Sequence, residues 1–202
     1  DSLGADIINS SLGYYRFDLP EMDHSYAQMD GKSTRVTRAA NLAFKKGILT
    51  CVSAGNEGNK PWRYIIAPSD GDSVIAVAAV DKYGQKAGFS SFGPAPDGNI
   101  KPDLAAMGVA TALQNTNGTL AAGSGTSFSS PVLAGMAACL WQANPSASAS
   151  QVRQALIRSG SQYQHPDSLL GYGIPDMVTA DLLLKQVNSI PDSGTREVII
   201  YP

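Results

Sequence analysis

Runs of apolar residues separated by polar turns form the main pattern of this chain. Residues 48–52 and 74–80 are continuous β-prone runs, which are typical of strands that are covered on both faces of a sheet. Residues 5–12 form a shorter run that is apolar at its centre. The pattern therefore predicts three strands, two of them fully buried.

A helix is predicted between the first two strands. Apolar residues recur at i, i+3, i+4 and i+7 from Val36 to Ala43, so they share one helical face. Ser33 can cap the N-terminus of this helix, and Gly47 is suited to end it. Strand, helix and strand in this order form a βαβ unit, which implies a parallel sheet and a right-handed crossover.

The most apolar helix is predicted over residues 126–141, directly after a glycine turn. Residues 132–141 carry no charge and almost no polarity, so we expect this helix to be buried on every side. Ser127 would lie near its N-terminus, where unpaired N–H groups and the helix dipole favour negative charge. Two further helices are predicted, one that starts at Ser148 and one over residues 175–186.

Composition narrows the class of protein. The chain has 202 residues, of which 43% are hydrophobic and 16% charged, with a formal net charge of -2. These values fit one globular domain with a substantial core. Lys and Arg are scattered, so no nucleic-acid partner is expected. No apolar run reaches the ~18 residues of a membrane span, so none is predicted.

The two cysteines lie in apolar runs, Cys51 in a predicted strand and Cys139 in the predicted central helix. A disulfide between them stays open, because its geometry cannot be read from sequence. We favour two buried free thiols, since free cysteine packs as a small hydrophobe. No paired Cys or His spacing supports a zinc site.

Ser127 can act either as a helix cap or as a nucleophile at a helix N-terminus. Two nucleophile patterns can be set aside. An α/β-hydrolase elbow has glycine two residues after the nucleophile, but that position is Ser129 here. A Ser-x-x-Lys enzyme has lysine three residues after it, but that position is Ser130.

The segment Gly125–Pro131 resembles the nucleophile motif of subtilisin-like serine peptidases, and other stretches match that family in the same order. These stretches are 7–13, 53–58, 74–81 followed by 89–93, and 101–108. The resemblance implies a three-layer subtilisin-like α/β fold, with a mostly parallel sheet and helices on both faces. It also implies a secreted or cell-surface serine endopeptidase that uses a Ser-His-Asp triad and needs no cofactor. A non-catalytic relative that binds peptides is the alternative.

The resemblance also implies roles for individual residues. Ser127 would be the nucleophile, while the Asn56 side-chain amide and the Ser127 N–H would bind the oxyanion. Two sets of residues would wall the cleft for a peptide or protein substrate: Ser11, Leu12 and Gly13 on one side, and Ser53, Ala54 and Gly55 on the other. Residues 65–67 would close the floor of an apolar pocket, and Glu57 at its rim could attract a basic residue.

The catalytic Asp and His of this family precede the serine in the chain, and no match for them is found. His24 and His165 lie outside the expected surroundings and are predicted to be surface residues. Asp103 lies inside a matched segment and Asp6 directly before one, and both segments have other roles.

Residues 1–187 therefore resemble the C-terminal two-thirds of a catalytic domain, whose expected partner is the missing N-terminal part of the same protein. Residues 188–202 resemble a linker and the first strand of a C-terminal sorting domain of type IX secretion, with an unstructured end as the alternative.

The segment 14–32 is predicted to be a long surface loop with several acidic residues. A structural calcium ion could bind there, as it does on such loops of many subtilisin-like enzymes. A solvated loop is favoured, because the Asp-x-Asp-x-Asp spacing of a calcium loop is absent. The loop would instead form a wall for substrate, and no metal ligand is assigned.

Overall fold

The computed structural model describes the backbone of residues 1–189 and the side chains of residues 1–186. Its main sheet has the order β1-β2-β3-β4, with every neighbouring pair parallel. The strands are β1 (Ile7–Ser10), β2 (Leu49–Ser53), β3 (Ile75–Val80) and β4 (Leu104–Met107). The expected α/β fold on a parallel sheet is confirmed.

Strands β2 and β3 are buried along their whole length, as their continuous apolar runs predict. Leu49, Cys51, Ile75 and Val77 belong to the large core cluster, which also contains residues of three helices. On β3 and β4, Ala78, Val80 and Ala105 form a smaller cluster with loop residues. At the sheet edge, β1 pairs only with β2 among the residues described here.

Helix α1 (Arg35–Lys45) makes the crossover between β1 and β2. Its N-cap is Thr34 and not Ser33, because the Thr34 hydroxyl oxygen accepts a hydrogen bond from Thr37 N at 3.2 Å. The Ser33 hydroxyl instead donates to Asp30 at 2.7 Å. Gly47 follows the helix with a φ of 89°, a conformation that glycine adopts without steric cost.

Helix α2 (Thr126–Ala143) contacts all four strands of the main sheet. The helices α3 (Ala149–Arg158) and α4 (Met177–Ser189) pack against it and against each other. The expectation that α2 is buried on every side is wrong. Pro131, Gly135, Met136 and Cys139 are exposed, because no element in the part of the chain described here covers that face.

A hairpin of β5 (Thr111–Gln114) and β6 (Leu120–Gly123) lies between β4 and α2. The sequence did not predict it, because both strands are only four residues long and neither is fully buried. At its base the Gly125 N–H donates to the Gly108 carbonyl at 2.8 Å. This bond joins the end of β4 to the start of α2.

A buried ion cluster anchors the start of β4. The Asp103 carboxylate accepts hydrogen bonds from Lys101 Nζ at 2.7 Å and from Arg153 Nη2 at 3.0 Å. It also accepts one from the Ala76 N–H at 2.8 Å. Asp103 and Lys101 are only 3% and 2% exposed, so this carboxylate joins α3, β3 and β4 and is committed to structure.

Within residues 1–189, no helix is both long and apolar enough to cross a membrane. The predicted linker and sorting-domain strand lie almost wholly outside the described residues. The loop 14–32 contains two short 3-10 turns, Pro20–Met22 and Tyr26–Gln28.

Candidate active site

Ser127 lies in the first turn of α2, where the end of β1 approaches the helix. Its hydroxyl donates to the Ser11 carbonyl at 3.4 Å, and the Ser11 hydroxyl donates back to the Ser127 carbonyl at 2.9 Å. The Ser127 N–H has no acceptor among residues 1–189, as expected for a helix N-terminus. The turn therefore offers an N–H donor to a ligand beside the serine hydroxyl.

Asn56 lies in the turn after β2 and contacts the same end of α2. Its Oδ1 accepts hydrogen bonds from the backbone N–H and from the hydroxyl of Thr126, both at 2.9 Å. The Thr126 hydroxyl oxygen also accepts from the Gly55 N–H at 3.2 Å. Because Oδ1 is engaged, the amide Nδ2 is the side-chain group left to bind a ligand, and it has no acceptor within residues 1–186.

The turn that carries Asn56 is fixed by the segment 89–91. Glu57 N donates to the Ser91 hydroxyl oxygen at 3.0 Å, and Gly58 N donates to the Phe89 carbonyl at 2.9 Å. A side chain at Gly58 would collide with the Ser90 carbonyl, so only glycine fits this close approach. This packing holds the turn that carries Asn56 against residues 89–91.

The two predicted cleft walls lie side by side, because β1 and β2 are parallel neighbours and both walls follow their carboxyl ends. Ser53 and Ala54 are buried, while Leu12 is 61% exposed. The structure thus brings all the predicted wall residues to the end of the sheet where Ser127 and Asn56 lie.

The side chain of Ile66 occupies the space between the walls. A Cβ placed on Gly13 would lie 2.7 Å from Ile66 Cγ1, and one placed on Gly55 would lie 2.9 Å from the same atom. Only 8% of Ile66 is exposed. Ile66, one of the residues expected to form the floor of the pocket, thus packs between Gly13 and Gly55.

Glu57 is already paired. Its carboxylate accepts from the Tyr15 hydroxyl and from Lys60 Nζ, each at 3.0 Å. Burial, and then the hydrogen bond to Glu57, raise the pKa of Tyr15. A basic substrate residue would have to compete with Lys60 for this carboxylate. The structure therefore does not support the expectation that Glu57 attracts such a residue.

Within the described part of the chain, neither histidine forms a hydrogen bond with Ser127. His24 packs edge-on against Phe17, with ring centroids 5.1 Å apart, in the loop 14–32. His165 lies in the turn after α3, where its N–H donates to the Gln162 carbonyl. Asp6 precedes β1, at the opposite end of that strand from Ser11.

No cluster of three or more His, Cys, Asp or Glu side chains that could hold a metal ion occurs among the side chains described. In the loop 14–32, Asp30 accepts from Ser33 and from Lys32, while Asp23 accepts from Phe17 N. These carboxylates serve the loop's own backbone and do not converge as calcium ligands do.

Both cysteines are free, and Cys51 is buried. The prediction that Cys139 is also buried is wrong, because it lies on the uncovered face of α2.

Two polar residues near the site were missed from the sequence. The Ser130 hydroxyl donates to Asn9 Oδ1 at 2.7 Å, and Asn9 Nδ2 donates to the Ser11 hydroxyl oxygen at 3.2 Å. With the Ser11–Ser127 bonds, this network fixes α2 to the end of β1. Both residues lie inside matched stretches, but their contact spans 121 positions and has no local signature.

The family comparison agrees with this arrangement, since a model described as the subtilase family matches residues 2–173. The chain belongs to the subtilase family. A thermostable alkaline protease of Halalkalibacterium halodurans is 35% identical over 168 residues, which are 83% of this chain and 40% of that protein. Subtilisin DY of Bacillus licheniformis is 35% identical over 154 residues, 76% of this chain and 48% of that protein. This subtilase chain thus spans less than half the length of these two relatives.

Solved structures show the same fold. The prenylagaramide maturation protease PagA has a TM-score of 0.71 and 26% identity, and the match covers 91% of this subtilase chain and 63% of that one. The patellamide maturation protease PatA has a TM-score of 0.70 and 26% identity, and the match covers 92% and 65%. The fold is therefore subtilisin-like.

Proposed function

We propose that this chain carries the nucleophile and the oxyanion hole of a serine endopeptidase. The pairing of Asn56 with Thr126 carries the proposal. It holds an otherwise unpaired side-chain amide beside the first turn of α2, where the Ser127 N–H also lacks an acceptor in the described chain. Two such donors next to a serine hydroxyl suit the negative oxygen of a tetrahedral intermediate.

In the proposed reaction, Ser127 Oγ attacks the carbonyl carbon of the peptide, and its proton passes to a base. The carbonyl oxygen takes up the electron pair as an oxyanion, which accepts hydrogen bonds from Asn56 Nδ2 and Ser127 N. When the tetrahedral intermediate collapses, the amine leaves with a proton and an acyl group stays on Ser127. Water then releases the acyl group by the reverse sequence of steps.

The base and its orienting acid are proposed to come from a part of the protein outside this chain, namely the N-terminal part of the catalytic domain. Two surfaces support this proposal. Pro131, Met136 and Cys139 line an apolar groove on the uncovered face of α2. The outer edge of β1 is unpaired in the structure described, and such an edge is suited to pair with another strand.

The substrate is proposed to be an extended peptide that lies between the two cleft walls and pairs with them through main-chain hydrogen bonds. Secretion, or display at the cell surface, is proposed together with this function, because the family resemblance implies it.

A non-catalytic relative that only binds peptides is the second candidate. It would retain the cleft walls, and it would have no need of the Ser127 hydroxyl or the Asn56 amide. The presence of both groups in one arrangement favours the peptidase.

A fluorophosphonate probe tests the proposed function on the full-length protein. We expect one adduct at Ser127 by mass spectrometry, and none in the Ser127→Ala variant. Ser146→Ala, on an exposed turn, is the matched control and should label normally. Labelling at another serine, or no labelling of the folded full-length protein, would contradict the proposal.

A further inference from the structure

Ile66 lies between the two predicted cleft walls, beside Gly13 on one wall and Gly55 on the other. Its Cγ1 is 2.7 Å from the position of a Cβ on Gly13, and its Cγ1 and Cδ1 are 2.9 and 3.1 Å from that of a Cβ on Gly55. Each wall is a glycine at this point. The isoleucine side chain fills the space beside Gly13, and it shares the space beside Gly55 with the Ser91 hydroxyl, whose oxygen is 2.7 Å from the Cβ position.

The backbone around Ile66 is fixed on both sides. The Ile66 carbonyl accepts from the N–H and the hydroxyl of Ser69, at 2.9 and 2.7 Å. The Ile65 N–H donates to the Phe92 carbonyl at 3.0 Å, and the Tyr14 N–H donates to the Ala67 carbonyl at 2.8 Å. A shift of this segment that withdrew Ile66 would break several of these bonds.

We propose that Ile66 limits the residue before the scissile bond to a small side chain, namely glycine, alanine or serine. This inference rests on the proposed function, and it names the substrate class of that site. A leucine or phenylalanine side chain would overlap the isoleucine, which cannot move away without losing its contacts with both glycines. Interiors packed in this way do not accept extra volume without strain.

The charge of Glu57 does not favour a basic substrate residue at this position, because the Glu57 carboxylate already accepts hydrogen bonds from Lys60 and Tyr15. Size is therefore the property that this pocket selects.

Peptides that differ only in the residue before the cleaved bond test the proposal on the full-length protein. We expect kcat/KM for alanine to exceed that for leucine or phenylalanine by roughly 10–200-fold, the range by which an apolar pocket discriminates small differences in size. Ile66→Val, which removes Cδ1, should narrow this difference, and Ile66→Gly should remove or reverse it.

Ile48→Ala is the matched control. Ile48 is also a buried isoleucine, but it lies just before β2, at the far end of the strand from the cleft. It should lower stability without changing the preference. Equal cleavage of alanine and phenylalanine peptides by the unaltered protein, or an unchanged preference in Ile66→Gly, would overturn the proposal.

A binding measurement separates this proposal from the proposed function. Product peptides that end in alanine or in phenylalanine are titrated onto the Ser127→Ala protein by calorimetry, so that no catalysis is needed. Tighter binding of the alanine peptide, reversed by adding Ile66→Gly, supports the role of Ile66 even if the fluorophosphonate fails to label Ser127. Equal affinities contradict that role even if Ser127 is labelled.

Discussion

Asn56 Oδ1 accepts two hydrogen bonds from a single residue, Thr126, one from the backbone N–H and one from the hydroxyl, both at 2.9 Å. This pairing fixes the orientation of the amide, because an Asn with exchanged oxygen and nitrogen would set a donor against the Thr126 N–H. The Nδ2 group is thereby held ready for an acceptor before any substrate arrives. Preorganised donors of this kind need no rearrangement when charge develops.

Asn56→Ala should therefore lower kcat of the full-length protein by about 10²–10³, with little change in KM, because the donor acts on charge that develops in the transition state. The magnitude is carried over from subtilisin, where loss of the oxyanion-hole asparagine has this effect. Asn59→Ala, an exposed neighbour, should keep normal kcat. An effect confined to KM would assign Asn56 to substrate binding.

Thr126→Val keeps the shape of the side chain but removes the hydroxyl that joins Gly55 N to Asn56 Oδ1. We expect kcat to fall less than in Asn56→Ala, because the Thr126 N–H still holds Oδ1. The free energy of unfolding should fall by about 1–3 kcal/mol, since the buried Gly55 N–H loses its acceptor. Thr126→Ser, which keeps the hydroxyl, should retain the original kcat in a steady-state assay and the original free energy of unfolding in a urea titration. A Thr126→Val protein with unaltered kcat would show that Asn56 does not depend on this hydroxyl.

The sequence predicted three of the four parallel strands and the main helices, because β2, β3 and α2 have long apolar runs, whereas the four-residue strand β4 was missed. Burial of α2 was predicted wrongly. Residues 132–141 are apolar on all sides, yet the pattern cannot say whether the covering element belongs to this chain. Cys139 lies on that uncovered side, and its predicted burial failed for the same reason.

The site was predictable in part. Motif order pointed to Ser127 and Asn56, but the roles of Thr126, Ser130 and Asn9 depend on contacts between residues far apart in sequence. The filling of the space between Gly13 and Gly55 by Ile66 likewise depends on three segments that meet only in the folded chain.

Thiol labelling should distinguish the two cysteines. Burial raises the pKa of Cys51 to about 12, so almost none of it is thiolate at pH 8. In the isolated chain of residues 1–202, diluted until light scattering shows a monomer, we expect a maleimide to react with Cys139 and not with Cys51, as read by intact mass. In the full-length protein Cys139 should become protected, if the uncovered face of α2 is the docking surface. Equal reactivity of Cys139 in the isolated chain and in the full-length protein would argue against that docking. The Cys139→Ser variant is the control that assigns the labelled mass to Cys139.

The chain of residues 1–202 alone should not hydrolyse peptides, because within residues 1–186 the Ser127 hydroxyl bonds only to the Ser11 carbonyl and the base is proposed to lie outside this chain. At most a residual acceleration of order 10³–10⁴ over water is expected when a triad member is absent. The bare face of α2 and the unpaired edge of β1 should make this chain self-associate, which light scattering would show. Monomeric, cooperatively folded material with turnover near that of the full-length protein would require His24 or His165 to be reconsidered as the base.

Asp103→Ala should be among the more destabilising single changes outside the cleft. It leaves the buried Lys101 ammonium and the Arg153 guanidinium without their shared carboxylate, and breaking a buried pair in this way costs about 3–5 kcal/mol. Asp18→Ala, in the exposed loop, should change the free energy of unfolding by less than about 0.5 kcal/mol. Urea unfolding of the full-length variants measures both. A loss below about 1 kcal/mol for Asp103→Ala would show that other groups compensate the two cations.

The bond between the Gly125 N–H and the Gly108 carbonyl separates the β5–β6 hairpin from the residues that would do chemistry. Because the chain returns to the same point after the hairpin, lengthening or shortening its tip at residues 116–117 leaves the entry to α2 in place. Related chains could thus diverge in hairpin length without moving Ser127. The tip is also where a peptide tag or a small inserted domain can be accommodated at least cost to the site.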